Sequence, residues 1–237
     1  MDKLTLAWMY PDCLNLHGER GSIQALMRIG EKMGLQMELL RIPDFNDPIP
    51  FDRIDLMVLL PGELRLMPAL VQALDRRREA LTDYLQRGGW LVAMGTTGLI
   101  FGREVRREDG TVLQGLGLLD LTAREREYVL GDDLHVRLPD GMELAGCQIQ
   151  MADVHAAAPL GHVLWGRGND GSGAEGARFK NLVYTNCLGP LFVKNPWWGQ
   201  AILRDIAEKR SLPVKDPEPD ELAKAAFDAA VRYMNAK

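Results

Sequence analysis

Two stretches of unbroken apolar character, Asp-Leu-Met-Val-Leu-Leu at 55–60 and Trp-Leu-Val-Ala-Met at 90–94, set the tightest limit on how this chain folds. A strand with one wet face alternates apolar and polar residues, whereas a run apolar at nearly every position suits a strand covered on both faces. Between the two runs the spacing is helical from about residue 68 to 87, and Gly88-Gly89 stops it. Upstream, residues 4–9 read as a first strand. A helix follows with Ser22 as its N-cap, Ile23, Leu26, Met27, Ile29 and Met33 on one face, and Gly34 as its stop. Residues 37–42 read as the second strand. Strands alternating with helices predict a mostly parallel α/β sheet with right-handed crossovers and helices on both faces. Ligands in such sheets bind beyond the carboxyl ends of the strands. That gathers the loops 10–20, 61–65 and 95–98 on one rim.

After Gly102 the pattern changes. Short strand-like pieces at 128–130, 134–138, 163–165 and 182–185 are separated by Gly, Asp and Asn turns, which predicts an antiparallel extension. The glycine-rich run 166–176 lacks the ending of a phosphate loop and the strand-turn-helix setting of a dinucleotide fingerprint, so it reads as a flexible turn. Residues 209–219 form a charged, proline-bearing linker before a final amphipathic helix at 220–234. No internal repeat is visible.

A net charge of −5 argues against a nucleic-acid partner, since phosphate neutralisation needs clustered Lys and Arg. The one dense basic run, Arg76-Arg77-Arg78, falls within the helical pattern and reads as a solvated face. No apolar stretch reaches the ~20 residues of a membrane span, and the N-terminus has no apolar signal core, so a cytoplasmic protein is expected. The three cysteines, Cys13, Cys147 and Cys187, are odd in number and lie far apart with no CxxC pair. They suggest neither a disulfide framework nor a zinc site, and no metal or cofactor is expected. His155 and His162 lie in turn-rich segments and read as surface or structural residues.

One segment says more than the α/β pattern. Tyr-Pro-Asp-Cys-Leu-Asn-Leu-His-Gly-Glu-Arg-Gly at 10–21, with Asn15, Gly18, Arg20 and Gly21, resembles the opening loop of the GatD branch of the CobB/CobQ-type class I glutamine amidotransferases. The resemblance continues at Leu60-Pro61-Gly62-Glu63, at 110–120, at Gly-Cys-Gln-Ile-Gln-Met-Ala 146–152, and at 159–166. It ends with 175–181, Leu188-Gly-Pro-Leu191 and Lys194-Asn-Pro196, and so spans about residues 4–205. It implies a flavodoxin-like amidotransferase domain over residues 1–210, with 211–237 as a linker and a C-terminal helix packed on it. It also implies a MurT-like Mur ligase as partner, in the amidation of lipid II or, in the related branch, of cobyrinate.

Such enzymes release ammonia from glutamine with a cysteine thiolate on a sharp strand-to-helix turn, activated by a histidine. The family pattern Val-Cys-Gly-Gly-Tyr-Gln-Leu-Leu-Gly corresponds here to Met94-Gly-Thr-Thr-Gly-Leu-Ile-Phe-Gly102. The resemblance therefore puts Gly95 at the nucleophile, Leu188 at the base histidine and Gln150 at a second histidine position. No catalytic residue is expected. A relocated nucleophile at Thr96 or Thr97 lacks an adjacent base, and Thr96 reads more simply as a helix N-cap. Cys187 should face away from the site on its strand. Cys13, four residues from His17, reads as a partly buried thiol.

Two functions follow as expectations. One is a pseudo-amidotransferase that serves a MurT-like ligase as a structural or regulatory subunit, with Trp197-Trp198 either an interface anchor or buried beside the following helix. The other is a binding module for an amino acid or small carboxylate. It would use a roomier vestigial glutamine pocket with Arg20, Gly62, Glu63, Arg65, Thr96 and Thr97 around it.

Overall fold

The computed structural model describes residues 3–237. Its elements begin with β1 (Lys3–Met9), α1 (Arg20–Lys32), β2 (Gln36–Ile42), β3 (Leu56–Leu59), α2 (Met67–Asp75), α3 (Arg78–Gln86) and β4 (Trp90–Met94). Then come β5 (Glu104–Arg106), β6 (Val112–Gln114), β7 (Leu121–Arg137), β8 (Glu143–Ala156), β9 (Gly161–Trp165), β10 (Ala174–Glu175), β11 (Ala177–Phe179) and β12 (Leu182–Thr185). The chain ends with α4 (Leu191–Lys194), α5 (Pro196–Lys209) and α6 (Glu221–Asn235). Among the described residues no helix is long and apolar enough to cross a membrane.

The first sheet runs β11-β12-β4-β3-β1-β2, parallel throughout except for the β11–β12 edge hairpin. Numbered by appearance, its five parallel strands stand in the order 2-1-3-4-5, that of a flavodoxin-like sheet. Every residue of β3, β4 and β12 is buried, as the apolar runs require. The second sheet, β10-β9-β7-β5-β6 with β8 on β7, is antiparallel but for β5 beside β7. It is the predicted extension, yet it is built from long strands. The pieces at 128–130 and 134–138 belong to the single strand β7, whose pairing with β8 shifts register between Glu125 and Leu130. The turn residues in that stretch mark the irregularity and do not end the strand.

Local corrections follow from contacts distant in sequence. The helix predicted from 68 to 87 is broken at Arg76-Arg77 into α2 and α3, with a 3₁₀ turn at Leu64–Leu66 ahead of it. Arg77 is no solvated residue. Its guanidinium donates to the carbonyls of Ala73 at 2.7 Å, Asp47 at 2.9 Å, Asn46 at 3.2 Å and Phe45 at 3.3 Å, which fastens the break to the loop before β3. Arg78 donates to the Leu116 carbonyl at 2.6 Å. α1 starts at Arg20, so Ser22 lies inside it and is not its N-cap.

The glycine-rich run 166–176 is fastened as well. The Asn169 side chain exchanges hydrogen bonds with both backbone groups of Gly176, and Gln148 does the same with Gly168. These four hydrogen bonds fasten the run at Gly168 and Gly176, where composition alone suggested flexibility. At the C-terminus, Trp198 is buried against Phe192, while Trp197 packs edge-on against Phe227 of α6 and donates to the Glu143 carbonyl at 2.9 Å.

Candidate functional site

The carboxyl ends of β1, β3, β4 and β12 bring the rim loops together as the alternating pattern predicts. The Leu16 amide donates to the Pro61 carbonyl at 3.1 Å, and Leu14 is buried against Gly62. Thr96 Oγ1 donates to the Gly62 carbonyl and accepts from the Gly62 amide at 3.3 Å. Thr96 therefore ties the β3 loop to the β4 loop and caps no helix. The segment it begins, Gly95–Phe101, is a 3₁₀ run with no side-chain cap. Thr97 is buried, its hydroxyl donating to the carbonyls of Met94 at 2.8 Å and Leu59 at 3.3 Å.

Gly95 is the sharpest point of this arrangement. It follows β4 directly and has φ +58, a left-handed conformation that glycine adopts freely and other residues hold only under strain. A side chain there would leave the backbone toward Leu188: its Cβ would lie 3.9 Å from Leu188 Cδ1 and 3.3 Å from Pro61 Cβ. A strained turn between a strand and a helical segment is how a nucleophile is presented in several enzyme families. Here the elbow keeps its conformation, carries no side chain, and faces a leucine. Gly95, Pro61 and Leu188 are all buried, so the space expected to be a roomier pocket is closed by Pro61 and Leu188.

Leu188 is held in place by an acid that the sequence reading passed over. Glu19 is fully buried at the foot of α1. One oxygen accepts from the Gly189 amide, and the other accepts from the Leu191 amide at 3.1 Å and the Ser22 hydroxyl at 2.9 Å. Ser22 Oγ in turn accepts from the Phe192 amide at 3.3 Å. An acid inside a glycine-bounded turn was the available signal, but its partners lie 170 and 172 residues away. Asn195 adds a second clip, bonding both backbone groups of Ala145. These motif residues position the loop.

The remaining candidates are dispersed. Gln150 is buried and donates to the carbonyls of Asn169, at 2.7 Å, and Ala152. Glu63 and Arg65 are exposed and pair with each other through bonds of 2.5 and 3.0 Å, the guanidinium holding the carboxyl below its usual range. Arg20 is exposed at the start of α1. Cys13 is exposed, not partly buried, because its loop turns it outward while Leu14 takes the inner position. Cys187 is buried, and burial pushes its thiol well above the ordinary range. Cys147, half-buried beside Gly189, is pushed up by the same cause. No cluster of three or more His, Cys, Asp or Glu suited to a metal occurs among the described residues.

A second buried acid stands behind the Leu188 loop. Glu175 accepts from the Asn186 amide at 2.6 Å and the Thr185 hydroxyl at 2.9 Å, while its other oxygen has no partner among the described residues. Burial pushes its carboxyl up to about 7, against the lowering effect of those donors.

The flavodoxin-like sheet order is shared with solved glutamine amidotransferases, and the chain has that fold. Among solved structures, PurLQS from Thermotoga maritima superposes with a TM-score of 0.57 at 12% identity, covering 88% of this chain and 99% of that one. A glutamine amidotransferase from the same organism gives 0.50 at 13% identity, covering 100% and 93%. Among curated proteins the chain is similar to GatD subunits. It is 28% identical over 227 residues to the lipid II isoglutaminyl synthase (glutamine-hydrolyzing) subunit GatD of Staphylococcus aureus, covering 94% of this chain and 92% of that one. The corresponding subunit of Streptococcus pneumoniae is 23% identical over 201 residues, covering 81% and 76%. No protein-family model matches the chain.

Proposed function

We propose that this chain is a pseudo-amidotransferase: a GatD-like subunit that has kept the glutaminase frame, has lost its chemistry, and serves a MurT-like Mur ligase in the cytoplasm as a structural or regulatory partner. The observation that carries the reading is the empty elbow, Gly95 at φ +58 with Leu188 opposite. Glutamine hydrolysis needs a thiolate to attack the carboxamide carbon and an acid to protonate the departing ammonia. A glycine and a leucine supply neither. The similarity to GatD over 94% of the chain supports the partner class and a place in peptidoglycan precursor amidation.

The binding-module reading draws its support from the exposed Arg20 and the amides around Thr96. It is the weaker one, because Glu63 and Arg65 satisfy each other and Pro61 and Leu188 fill the space at Gly95. The deciding measurement is glutamate or ammonia release from glutamine, by the chain alone and with a MurT-like ligase. The expected result is no release above a mock preparation in either case. Release that is lost in Cys13→Ser or Thr96→Ala would locate a rebuilt nucleophile and overturn the proposal.

A further inference from the structure

The C-terminal helix turns an apolar seam toward solvent. A surface helix ordinarily buries its apolar stripe and presents charged residues outward. α6 does the first through Phe227, which meets Trp197 and His135, and through the buried Met234. Its outer face nonetheless carries Leu222, Ala226, Ala229 and Tyr233, all exposed, with Leu222 at 81% and Tyr233 at 60%. Their spacing of four, three and four residues is the spacing of a coiled-coil seam. Beside the seam runs an apolar groove of about 380 Å³ between Ala223, Ala226, Phe227 and Ala230 of α6 and Val193 of α4.

The seam matches itself. Laid antiparallel on a second copy about a two-fold axis, Leu222 of one helix stands opposite Tyr233 of the other, and Ala226 opposite Ala229. Large residues then close both ends, and the small central pair lets the backbones approach. The charges agree. Helical geometry places the exposed Glu221 and Arg232 on one flank of the seam at its two ends. Antiparallel pairing sets each Glu221 beside an Arg232 of the other helix. Lys224 and Asp228 pair within their own helix and do not oppose this.

We propose that α6 is an isologous interface through which two copies of this chain associate as an antiparallel helix pair. The proposal stands apart from the pseudo-amidotransferase reading, and neither test affects the other.

Sedimentation equilibrium of the full chain across a wide concentration range tests it. The expected result is a reversible dimer. Ala229→Glu, which puts an acid at the centre of the seam, should raise the dissociation constant at least tenfold, with the melting temperature unchanged at dilutions where the parent chain is monomeric. Glu221→Arg should weaken the dimer, and adding Arg232→Glu should restore it. In a Cys13→Ser background, chains bearing Ala226→Cys mixed with chains bearing Ala229→Cys should form a mixed disulfide faster than either alone. A chain that stays monomeric throughout, including one whose seam is filled only by a helix of another protein, overturns the proposal. So does a dimer indifferent to Ala229→Glu.

Discussion

Glu175 shows how one side chain can set a pH dependence for the fold. Its carboxyl is raised from the ordinary 4.5 to about 7 by complete burial, so the folded protein holds this proton more tightly than the unfolded chain does. The stabilisation is therefore whole below the unfolded value and is lost as pH rises toward 7. The span corresponds to about 3 kcal/mol. Denaturant unfolding between pH 4.5 and 8 should show stability falling over that window, and Glu175→Gln should flatten the slope. An unchanged slope in the variant would place the titration elsewhere. Because the Glu175 oxygen that accepts from Asn186 and Thr185 steadies the segment leading to Leu188, the same proton bears on how firmly the rim is held.

The break between α2 and α3 belongs to the scale of elements. Arg77 donates to four carbonyls, three of them in the loop at 45–47, and so joins two helices to the entry of β3. Removing a charged donor from partly buried acceptors costs about 2 to 3 kcal/mol. Arg77→Ala should lower stability by that amount, and Arg77→Lys should recover little, since an ammonium cannot span carbonyls that the guanidinium reaches with two nitrogens. Equal stability of the parent and the two variants in urea would show the loop to be held by other contacts. Arg77 also marks where the sequence stopped being legible. The strands β1, β3 and β4 and the rim loops could be read because burial on both faces leaves continuous apolar runs, and Gly or Pro ends them. The helical period ran straight through Arg76-Arg77, because the interruption is imposed by acceptors some thirty residues upstream. Glu19, Glu175 and Asn169 escaped notice for the same reason: a polar residue in a turn looks solvated until its distant partner is known. Gly95 and Leu188 were brought together in the sequence only through the family pattern, and the structure sets them side by side. Their closure by Pro61 was not legible.

At the scale of the whole molecule, the first sheet is assembled from both ends of the chain. β4 ends at Met94, but its parallel neighbour β12 begins only at Leu182, with the second sheet formed between them. The donors held by Glu19 arrive later still, at Gly189 and Leu191. A chain ending at residue 180 should therefore lack a cooperative unfolding transition, and one by calorimetry would show that the first sheet can stand without β12. The arrangement bears on how the protein comes into being. During synthesis the first four strands leave the ribosome with β4 still an open edge, its amides and carbonyls free to take any passing strand. That edge waits while almost ninety further residues are made and the second sheet folds. Closing so long a loop contributes nothing until the last strand docks, which makes for slow maturation and a long interval of exposure to chaperones.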